Sequence, residues 1–264
     1  MSAVFTLDKN KVRQSFGAAC MSYDGVAELQ RTVGRQLIEK GKVAGLSGAI
    51  LDLGCGTGFL TGELLKSPAV EQLLALDIAL PMLQTTRRKL PGYADVSFVC
   101  ADAERLALKP RSFDRIFSNL ALQWCRDLTS VFCDCHKILK SGGVMVFSTF
   151  GPQTLCELKR AWTAVDNYSH VNEFYDANEL MRLMSDAGFV DIQLEIQRYR
   201  PVYPSVMDLM KELKDIGAHN VAAGRNKKMT SRSQMQRMIS AYPGVLGRDR
   251  ISATFEVITM TARI

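Results

Sequence analysis

The sequence predicts an α/β fold in which a mainly parallel β-sheet carries helices on both of its faces. From Ala49 onward, short apolar runs of strand length alternate with segments of helical pattern, and this alternation is typical of parallel sheets covered by helices. A turn rich in glycine, residues 54–58, follows the first apolar run. With 264 residues, the chain has the length of one large domain with an additional lobe.

Composition and charge exclude several other classes of protein. Hydrophobic residues make up 47% of the chain and charged residues 23%, which is a globular and not a disordered composition. No run of about 18 apolar residues predicts a membrane span, and the N-terminus lacks the apolar segment of a secretory signal. We therefore expect a cytoplasmic protein that has no membrane partner.

The cysteines suit the same reducing compartment. Seven are present, mostly within apolar runs, and an odd number placed in this way does not predict a disulfide framework. Cys133, Cys135 and His136 lie close together, but their spacing is not that of a zinc site and no second pair follows. We expect no metal ion.

The predicted elements form three parts. Residues 1–42 have apolar side chains at helical spacing and predict an N-terminal helical cap. Residues 43–200 and 248–264 form the predicted core. Its strands are expected at Ala49–Leu53, Leu73–Leu76, Val96–Cys100, Arg115–Phe117, Val144–Ser148, Asp191–Arg200 and Ala253–Ala262. Its helices are expected at Phe59–Lys66, Pro81–Lys89, Leu128–Leu139 and Asp176–Ala187.

Residues 201–247 interrupt the alternation and predict an inserted helical lobe before the last strand. Between Arg198 and Arg250 there are eleven basic residues and four acidic ones, whereas the formal charge of the whole chain is only +6. Such a surface is either a solvated helical face or a docking surface for an acidic partner.

The most informative stretch, residues 50–58, has the sequence Ile-Leu-Asp-Leu-Gly-Cys-Gly-Thr-Gly. Gly54, Gly56 and Gly58 let the backbone turn tightly and let a ligand approach the main chain, and ligands bind at the carboxyl ends of the strands in such sheets. The dinucleotide fingerprint has its third glycine one residue later. Asp52 would also repel a pyrophosphate, whereas it suits a ligand that carries an ammonium group. These differences argue against an NAD-dependent oxidoreductase.

Acidic residues follow the next two predicted strands. Asp77 is placed to bind ribose hydroxyls, and Asp102 is placed to accept a hydrogen bond from an adenine amino group. Together with the glycine turn, they describe a nucleoside pocket without phosphate-binding groups. The plainer interpretation is a set of ordinary turns at strand ends with solvated acids.

This ordered set resembles the class I methyltransferases, which have a Rossmann-like fold and bind S-adenosylmethionine. The resemblance implies that cofactor. It also implies a set of cofactor-binding residues, namely Gln30, Arg31, Asp52, Gly54, Gly56, Gly58, Asp77, Ile78, Met82, Asp102, Ala103 and Asn119. Gln30 and Arg31 would either reach the methionine carboxylate from the N-terminal helix or merely face solvent.

The fold does not decide which acceptor such an enzyme methylates. Residues 118–124, Ser-Asn-Leu-Ala-Leu-Gln-Trp, stand where enzymes that methylate nucleic-acid amino groups carry Asn-Pro-Pro-Tyr. The chain also lacks the array of aromatic and basic residues that is typical of single-strand binding. We expect no nucleic-acid partner.

A narrower resemblance is to the malonyl-acyl-carrier-protein O-methyltransferases of biotin synthesis. Besides the two motifs already described, it rests on Ser148–Pro152, on His170–Asn172 and on Leu213–Ala218. It implies methyl transfer to the free carboxylate of a malonyl thioester on acyl carrier protein, an acidic and transient partner. The sequence departs from the family pattern at residues 229–231 and 251–255. We expect the enzyme to be a monomer.

A carboxylate acceptor is already deprotonated near neutral pH, so we expect no general base. Positioning of the acceptor is expected from Tyr23, Trp124, His170 and Asn172. The alternatives are that Trp124 is a core aromatic residue and that His170 caps a turn. Contacts with the substrate or its carrier are expected from the basic residues Arg198, Lys211, Lys214, Arg225 and Lys227.

Two other functions stay open on the sequence alone. A methyltransferase for a small free carboxylic acid, such as trans-aconitate, would share the strand-end motifs but would leave the His-Val-Asn segment and the basic lobe unexplained. Relatives in the same superfamily that serve as assembly factors or hydroxylases would also bind the donor. A targeting peptide would favour that last function, and the N-terminus shows no convincing one.

Overall fold

A computed structural model describes residues 7–43, 46–92, 95–218, 220–221, 230–243, 245–246 and 250–264. The strands are, in chain order, β1 (Gly48–Leu53), β2 (Val70–Asp77), β3 (Val96–Cys100), β4 (Phe113–Asn119), β5 (Leu139–Phe150), β6 (Val190–Tyr199), β7 (Val202–Tyr203), β8 (Val245–Leu246), β9 (Arg250–Ser252) and β10 (Phe255–Arg263). The helices are α1 (Lys9–Ala19), α2 (Tyr23–Val26), α3 (Glu28–Val43), α4 (Phe59–Leu64), α5 (Leu80–Lys89), α6 (Leu128–Ile138), α7 (Cys156–Thr163), α8 (Ala177–Asp186), α9 (Val206–Asp215) and α10 (Arg232–Ser240).

Seven of these strands form one sheet in the order β3-β2-β1-β4-β5-β10-β6. The pairs from β3 to β5 are all parallel, whereas β10 is antiparallel to both β5 and β6. The chain moves to one side of β1 with β2 and β3 and to the other side with β4. At such a switch point an open α/β sheet has a crevice beyond the carboxyl ends of its strands. The predicted mainly parallel sheet is confirmed.

Helices cover both faces of the sheet because successive side chains of a strand point to opposite sides. In β1, Ile50 packs into an apolar cluster with α3 and α4, whereas Leu51 packs into a cluster with α6 and α8. Both residues are fully buried. Burial on two faces is the reason that the predicted strands are continuous apolar runs.

The lobe between β6 and β10 contains strands as well as the expected helices. A small sheet in the order β7-β9-β8 accompanies α9 and α10. Strands of two or three residues are too short to show a period of two in the sequence. The lobe packs on α7, a helix that the sequence analysis did not predict: Leu158 and Trp162 share an apolar cluster with Leu209 and Met238. Because of this packing, helix α7 is part of the same apolar cluster as the lobe.

The N-terminal helices connect the main sheet to the lobe. Thr57 in the glycine turn donates to Asp24 Oδ1 at 2.7 Å. At the lobe, Ser22 Oγ donates to the Asp215 carbonyl at 2.7 Å, and the Asp8 amide donates to the Val221 carbonyl at 3.2 Å. These bonds hold α1 and α2 over the carboxyl ends of the strands.

All seven cysteines are free thiols. Over the described residues, no helix combines the length and the apolar character that crossing a bilayer requires.

Candidate functional site

The glycine turn after β1 needs glycine for a geometric reason. Gly54 has a φ of 82°, and a Cβ at this position would lie 2.3 Å from Ala121 Cβ. The amides of Gly54 and Cys55 both donate to the Leu76 carbonyl, at 2.7 and 3.0 Å. A side chain here would be strained and would collide with the segment after β4.

Asp77, at the end of β2, ties this turn to the start of α5. Its Oδ2 accepts from the Gly56 amide at 2.9 Å, and its Oδ1 accepts from the Ala79 amide at 2.8 Å. Burial raises the pKa of the Asp77 carboxyl group, and these amides act against that rise. A Cβ on Gly56 would meet no atom within 4 Å, so there is open space beside this glycine.

A cavity of about 680 Å³ lies at these strand ends, and we call it the strand-end cavity. The predicted residues that line it are Tyr23, Gly54, Gly56, Asp77, Ile78, Met82, Asp102, Ala103, Asn119 and Trp124. The structure thus brings together residues that are separated by about a hundred positions in the chain.

Helix α1 closes this cavity, which the sequence analysis did not foresee. Lys9, Val12 and Phe16 line it. Lys9 Nζ lies 2.8 Å from Asp102 Oδ1 and 3.0 Å from Glu104 Oε1, so it bridges the two acids that follow β3. No local motif predicts a contact between side chains that lie so far apart in the sequence.

Two weakly acidic groups at the wall of the strand-end cavity, Tyr23 and Cys125, are held in their protonated forms. Burial, followed by the charges of Asp77 and Asp24, raises the pKa of the Tyr23 phenol. Burial likewise raises the pKa of the Cys125 thiol to about 12. Near neutral pH neither group is an anion, so neither acts as a base or as a competing nucleophile.

The segment after β4 is fixed by its own polar side chains. Asn119 Nδ2 donates to the Gln30 carbonyl at 2.9 Å, and Asn119 Oδ1 accepts from Ser148 Oγ at 2.9 Å. Leu120 has a φ of 48°, and Gln123 Nε2 donates to its carbonyl at 2.6 Å. These bonds set the position of Trp124, which ends the segment.

A second cavity of about 530 Å³ adjoins the first, and Trp124 lines both. We call it the lobe cavity, because α9 and the segment after α7 contribute to its wall. His170 and Asn172 line it as well. Among the described residues of its wall, His170 is the only one with an ionisable side chain.

Comparisons with known proteins agree with this geometry. Residues 51–147 match the family model described as a methyltransferase domain. A malonyl-acyl-carrier-protein O-methyltransferase from Methylococcus capsulatus is 43% identical over 96% of this chain and 93% of its own length. The protein of the same name from Gallionella capsiferriformans is 37% identical over 96% of this chain and 90% of its own length.

The chain belongs to the malonyl-acyl-carrier-protein O-methyltransferase family. Solved structures share its fold at lower identity. The YcgJ protein from Bacillus subtilis has a TM-score of 0.62 at 18% identity, covering 87% of this chain and 97% of that one. Phosphoethanolamine N-methyltransferase 2 of Haemonchus contortus, in complex with S-adenosyl-L-methionine, has a TM-score of 0.54 at 17% identity, covering 87% of this chain and 52% of that one. The predicted class I methyltransferase fold is confirmed.

Two predicted cofactor residues of this family member lie behind the strand-end cavity and not in its wall. Asp52 is fully buried on the side of β1 that faces α4, where its Oδ2 accepts from Thr61 Oγ1 at 2.6 Å. Gly58 begins α4 with a φ of 86°, and a Cβ there would lie 2.4 Å from Thr86 Cγ2. Gly58 therefore serves the packing of α4 on α5, and its predicted contact with the cofactor stays a prediction.

Gln30 and Arg31 also lie outside the wall of either cavity. The guanidinium of Arg31 donates to Glu28 Oε2 and to the Asp24 carbonyl, which holds it along its own helix. Gln30 contributes its main-chain carbonyl, which accepts from Asn119. The predicted contact with a methionine carboxylate stays a prediction.

The described members of the predicted cationic set, Arg198, Lys211 and Lys214, line neither cavity. Arg198 pairs with the buried Glu256, its Nη2 lying 3.1 Å from Glu256 Oε1, and it lines neither cavity. Lys211 and Lys214 are exposed on α9. Arg225 and Lys227 lie outside the described residues.

Proposed function

We propose that this protein transfers a methyl group from S-adenosylmethionine to the free carboxylate of a malonyl thioester on acyl carrier protein. The product is the malonyl methyl ester that primes pimelate synthesis for biotin. The observation that carries the proposal is the pair of cavities that meet at Trp124. One has the acids of a nucleoside site, and the described wall of the other is neutral apart from His170.

The residues at the strand ends fit the proposed donor. Asp77 would hold the ribose hydroxyls, Asp102 would hold the adenine amino group, and the space beside Gly56 accommodates a ligand against the main chain. One buried side-chain oxygen in the described part of the chain, Asp52 Oδ1, has no hydrogen-bond partner. It is suited to the donor's ammonium group, because a buried carboxylate oxygen without a partner is costly. S-adenosylmethionine supplies an electrophilic methyl group on a sulfonium.

The chain itself supplies positioning and the exclusion of water. The acceptor carboxylate is ionised before it binds, so no residue has to remove a proton. Phe16 packs edge-on against Trp124, with ring centroids 5.1 Å apart, and these two rings close the strand-end cavity beside the lobe cavity. Joining an anion to a cation removes both charges, and a site from which water is excluded favours that change. Tyr23 and Cys125 stay protonated, so they do not compete for the methyl group.

The direct test of the function is incubation with malonylated acyl carrier protein and a labelled methyl donor, followed by mass measurement of the carrier. We expect a gain of one methyl group. Acetylated carrier, which has no free carboxylate, is the matched control and should gain none. Methylation of free trans-aconitate in place of the carrier would favour the small-acid enzyme, and donor binding without any methyl transfer would favour an assembly factor.

We also propose that the carrier docks transiently on the lobe, which supports the same activity. The described part of residues 198–250 has seven basic and three acidic residues. Lys211 and Lys214 are exposed on α9, and Leu213 of the same helix lines the lobe cavity. Positive charge near the mouth of a pocket steers an acidic partner and raises its rate of association.

Reversing both charges, in Lys211→Glu with Lys214→Glu, should raise KM for the carrier-bound substrate about tenfold. KM for a malonyl thioester of a small thiol should stay within about twofold, because long-range steering needs a charged partner. Lys66→Glu is the matched control, because Lys66 is exposed at the opposite edge of the sheet, just before β2. Equal effects on both substrates would contradict docking at α9.

A further inference from the structure

His170 is held in place by two neighbours that the sequence analysis did not connect with it. Its Nε2 lies 2.8 Å from Asp166 Oδ1. Its ring stacks on Trp162, with centroids 3.7 Å apart and an angle of 4° between the planes. The side chains of His170 and Asp166 are only 13% and 16% exposed, so the pair is largely shielded from water and its hydrogen bond is stronger than an exposed one.

The ionisation of Asp166 determines how the ring is oriented. Burial acts to raise the pKa of Asp166, but hydrogen bonds from His170 and the Tyr168 amide, with the charges of His170 and Arg237, hold it below the usual value. Asp166 is therefore a carboxylate and can only accept a hydrogen bond. The Nε2 atom of His170 accordingly carries a hydrogen. Its Nδ1 atom has no hydrogen-bond partner among the described residues and is available to a ligand in the lobe cavity.

Among the described residues, the wall of the lobe cavity carries no other ionisable side chain. Its described side chains are apolar or neutral apart from His170, and Asn172 uses its Oδ1 to accept from the Val221 amide at 3.3 Å. A ring placed between two carboxylates donates from both nitrogens only in its protonated form. Together with Asp166, such an imidazolium adds no net charge to the cavity.

We infer that Asp166 and His170 act together on the acceptor. Asp166 orients His170, and His170 Nδ1 holds one oxygen of the acceptor carboxylate. The inference rests on the proposed function, and it names the residues by which the enzyme would select a substrate with a free carboxylate. His170 is the group that touches the substrate, and Asp166 is a positioning residue. Stacking on Trp162 fixes the plane of the ring.

A single N–H hydrogen-bond donor suits an attacking carboxylate better than the several donors of an arginine. A guanidinium fork would engage both carboxylate oxygens and withdraw electron density from each, whereas one N–H leaves the second oxygen free. In the transfer, a lone pair of that oxygen forms the new bond to the methyl carbon, and the electrons of the carbon–sulfur bond return to sulfur. His170 keeps both of its protons throughout.

The test compares His170→Gln and Asp166→Asn with the wild type. With S-adenosylhomocysteine bound, we expect the wild type to bind malonyl-pantetheine more tightly than acetyl-pantetheine, which lacks the carboxylate. In each variant that preference should fall about 10- to 100-fold, the usual effect of losing a hydrogen bond to a charged group. The double variant should be no worse than His170→Gln alone, because residues that act as one unit are not additive. A purely structural role would weaken both ligands equally.

The control variant is Asp186→Asn, the same change on the exposed surface of α8. Affinity for S-adenosylmethionine should be unchanged in all variants, which verifies that each one is folded. If His170→Gln loses donor binding, Asp166→Asn decides, since it removes the charge of the partner and leaves His170 itself in place. A wild type that does not methylate malonylated carrier overturns the function and this inference together. A wild type that does so, with variants that keep their preference for malonyl-pantetheine, overturns the inference alone.

Discussion

Asp77→Ala is expected to abolish binding of S-adenosylmethionine while the protein stays folded. The carboxylate of Asp77 lines the strand-end cavity and would accept from two ribose hydroxyls. Hydrogen bonds to a charged group contribute about 1.5–3 kcal/mol each, so the dissociation constant should rise at least about 100-fold. The variant also leaves the amides of Gly56 and Ala79 without their acceptor, which loosens the glycine turn and adds to the loss.

Calorimetric titration with S-adenosylmethionine measures this effect, and thermal unfolding verifies the fold. Glu71→Ala is the matched control, because Glu71 is an exposed carboxylate on the same strand, β2. It should bind the donor as the wild type does. Asp77→Asn, which keeps one acceptor oxygen, should lie between the two. Wild-type affinity in Asp77→Ala would refute the ribose assignment.

Asp52→Asn is expected to stabilise the free protein and to weaken donor binding. Burial raises the pKa of Asp52 to about 7, although the hydrogen bond from Thr61 acts against that rise. Between the ordinary value of 3.8 and about 7, the folded state binds more protons than the unfolded state. The free energy of unfolding therefore falls as pH rises through this window, and above it the buried carboxylate remains a constant cost. An amide removes that cost but cannot pair with an ammonium group.

Denaturant unfolding at two pH values checks the sign. At pH 8 the variant should be more stable than the wild type by about 1–3 kcal/mol, within the effect of exchanging a buried charge, and at pH 5 the difference should be smaller. Donor affinity at pH 8 should drop about tenfold or more.

Asp114→Asn is a control for this experiment, because its expected change in the free energy of unfolding has the opposite sign. Burial acts to raise the pKa of Asp114, but the hydrogen bonds from Lys140 and the Ala49 amide hold it below the usual value. Its stabilising contribution is present above the ordinary pKa and is lost as pH falls through the lowered one. Asp114→Asn should therefore destabilise the protein at pH 8. If Asp52→Asn also destabilises the protein at pH 8, the account of Asp52 as a buried carboxylate whose Oδ1 has no partner is wrong.

The donor site could be predicted from sequence because its signals are local. Each of its acids directly follows a strand, and parallel strands end at a common edge. The glycine turn, Asp77 and Asp102 therefore had to lie near one another once the sheet was predicted. Lys9, which bridges Asp102 and Glu104, belongs to no motif, and only the packing of α1 places it there.

Asp52 shows that a position at a strand end does not tell which side of the sheet the side chain faces. Ile50 and Asp52 lie two residues apart in β1 and therefore point to the same side of the sheet. That side is covered by α3 and α4, so the carboxylate faces Thr61 from beneath the cavity. The pairing of Arg198 with Glu256, its strand neighbour on β10, likewise depends on the antiparallel register, which the sequence does not show.

The sequence by itself determined the fold class and the family and predicted the residues of a donor site, since periodicity and turn motifs act over a few residues. Only the tertiary structure shows the lobe cavity, in which we propose that the acceptor binds. The lobe cavity is assembled from α9, the segment after α7 and Trp124, and the contact of Asp166 with His170 acquires a purpose only where that cavity opens. Burial, charge pairing and cavity shape there depend on contacts between distant segments, and no local pattern of residue types encodes such contacts.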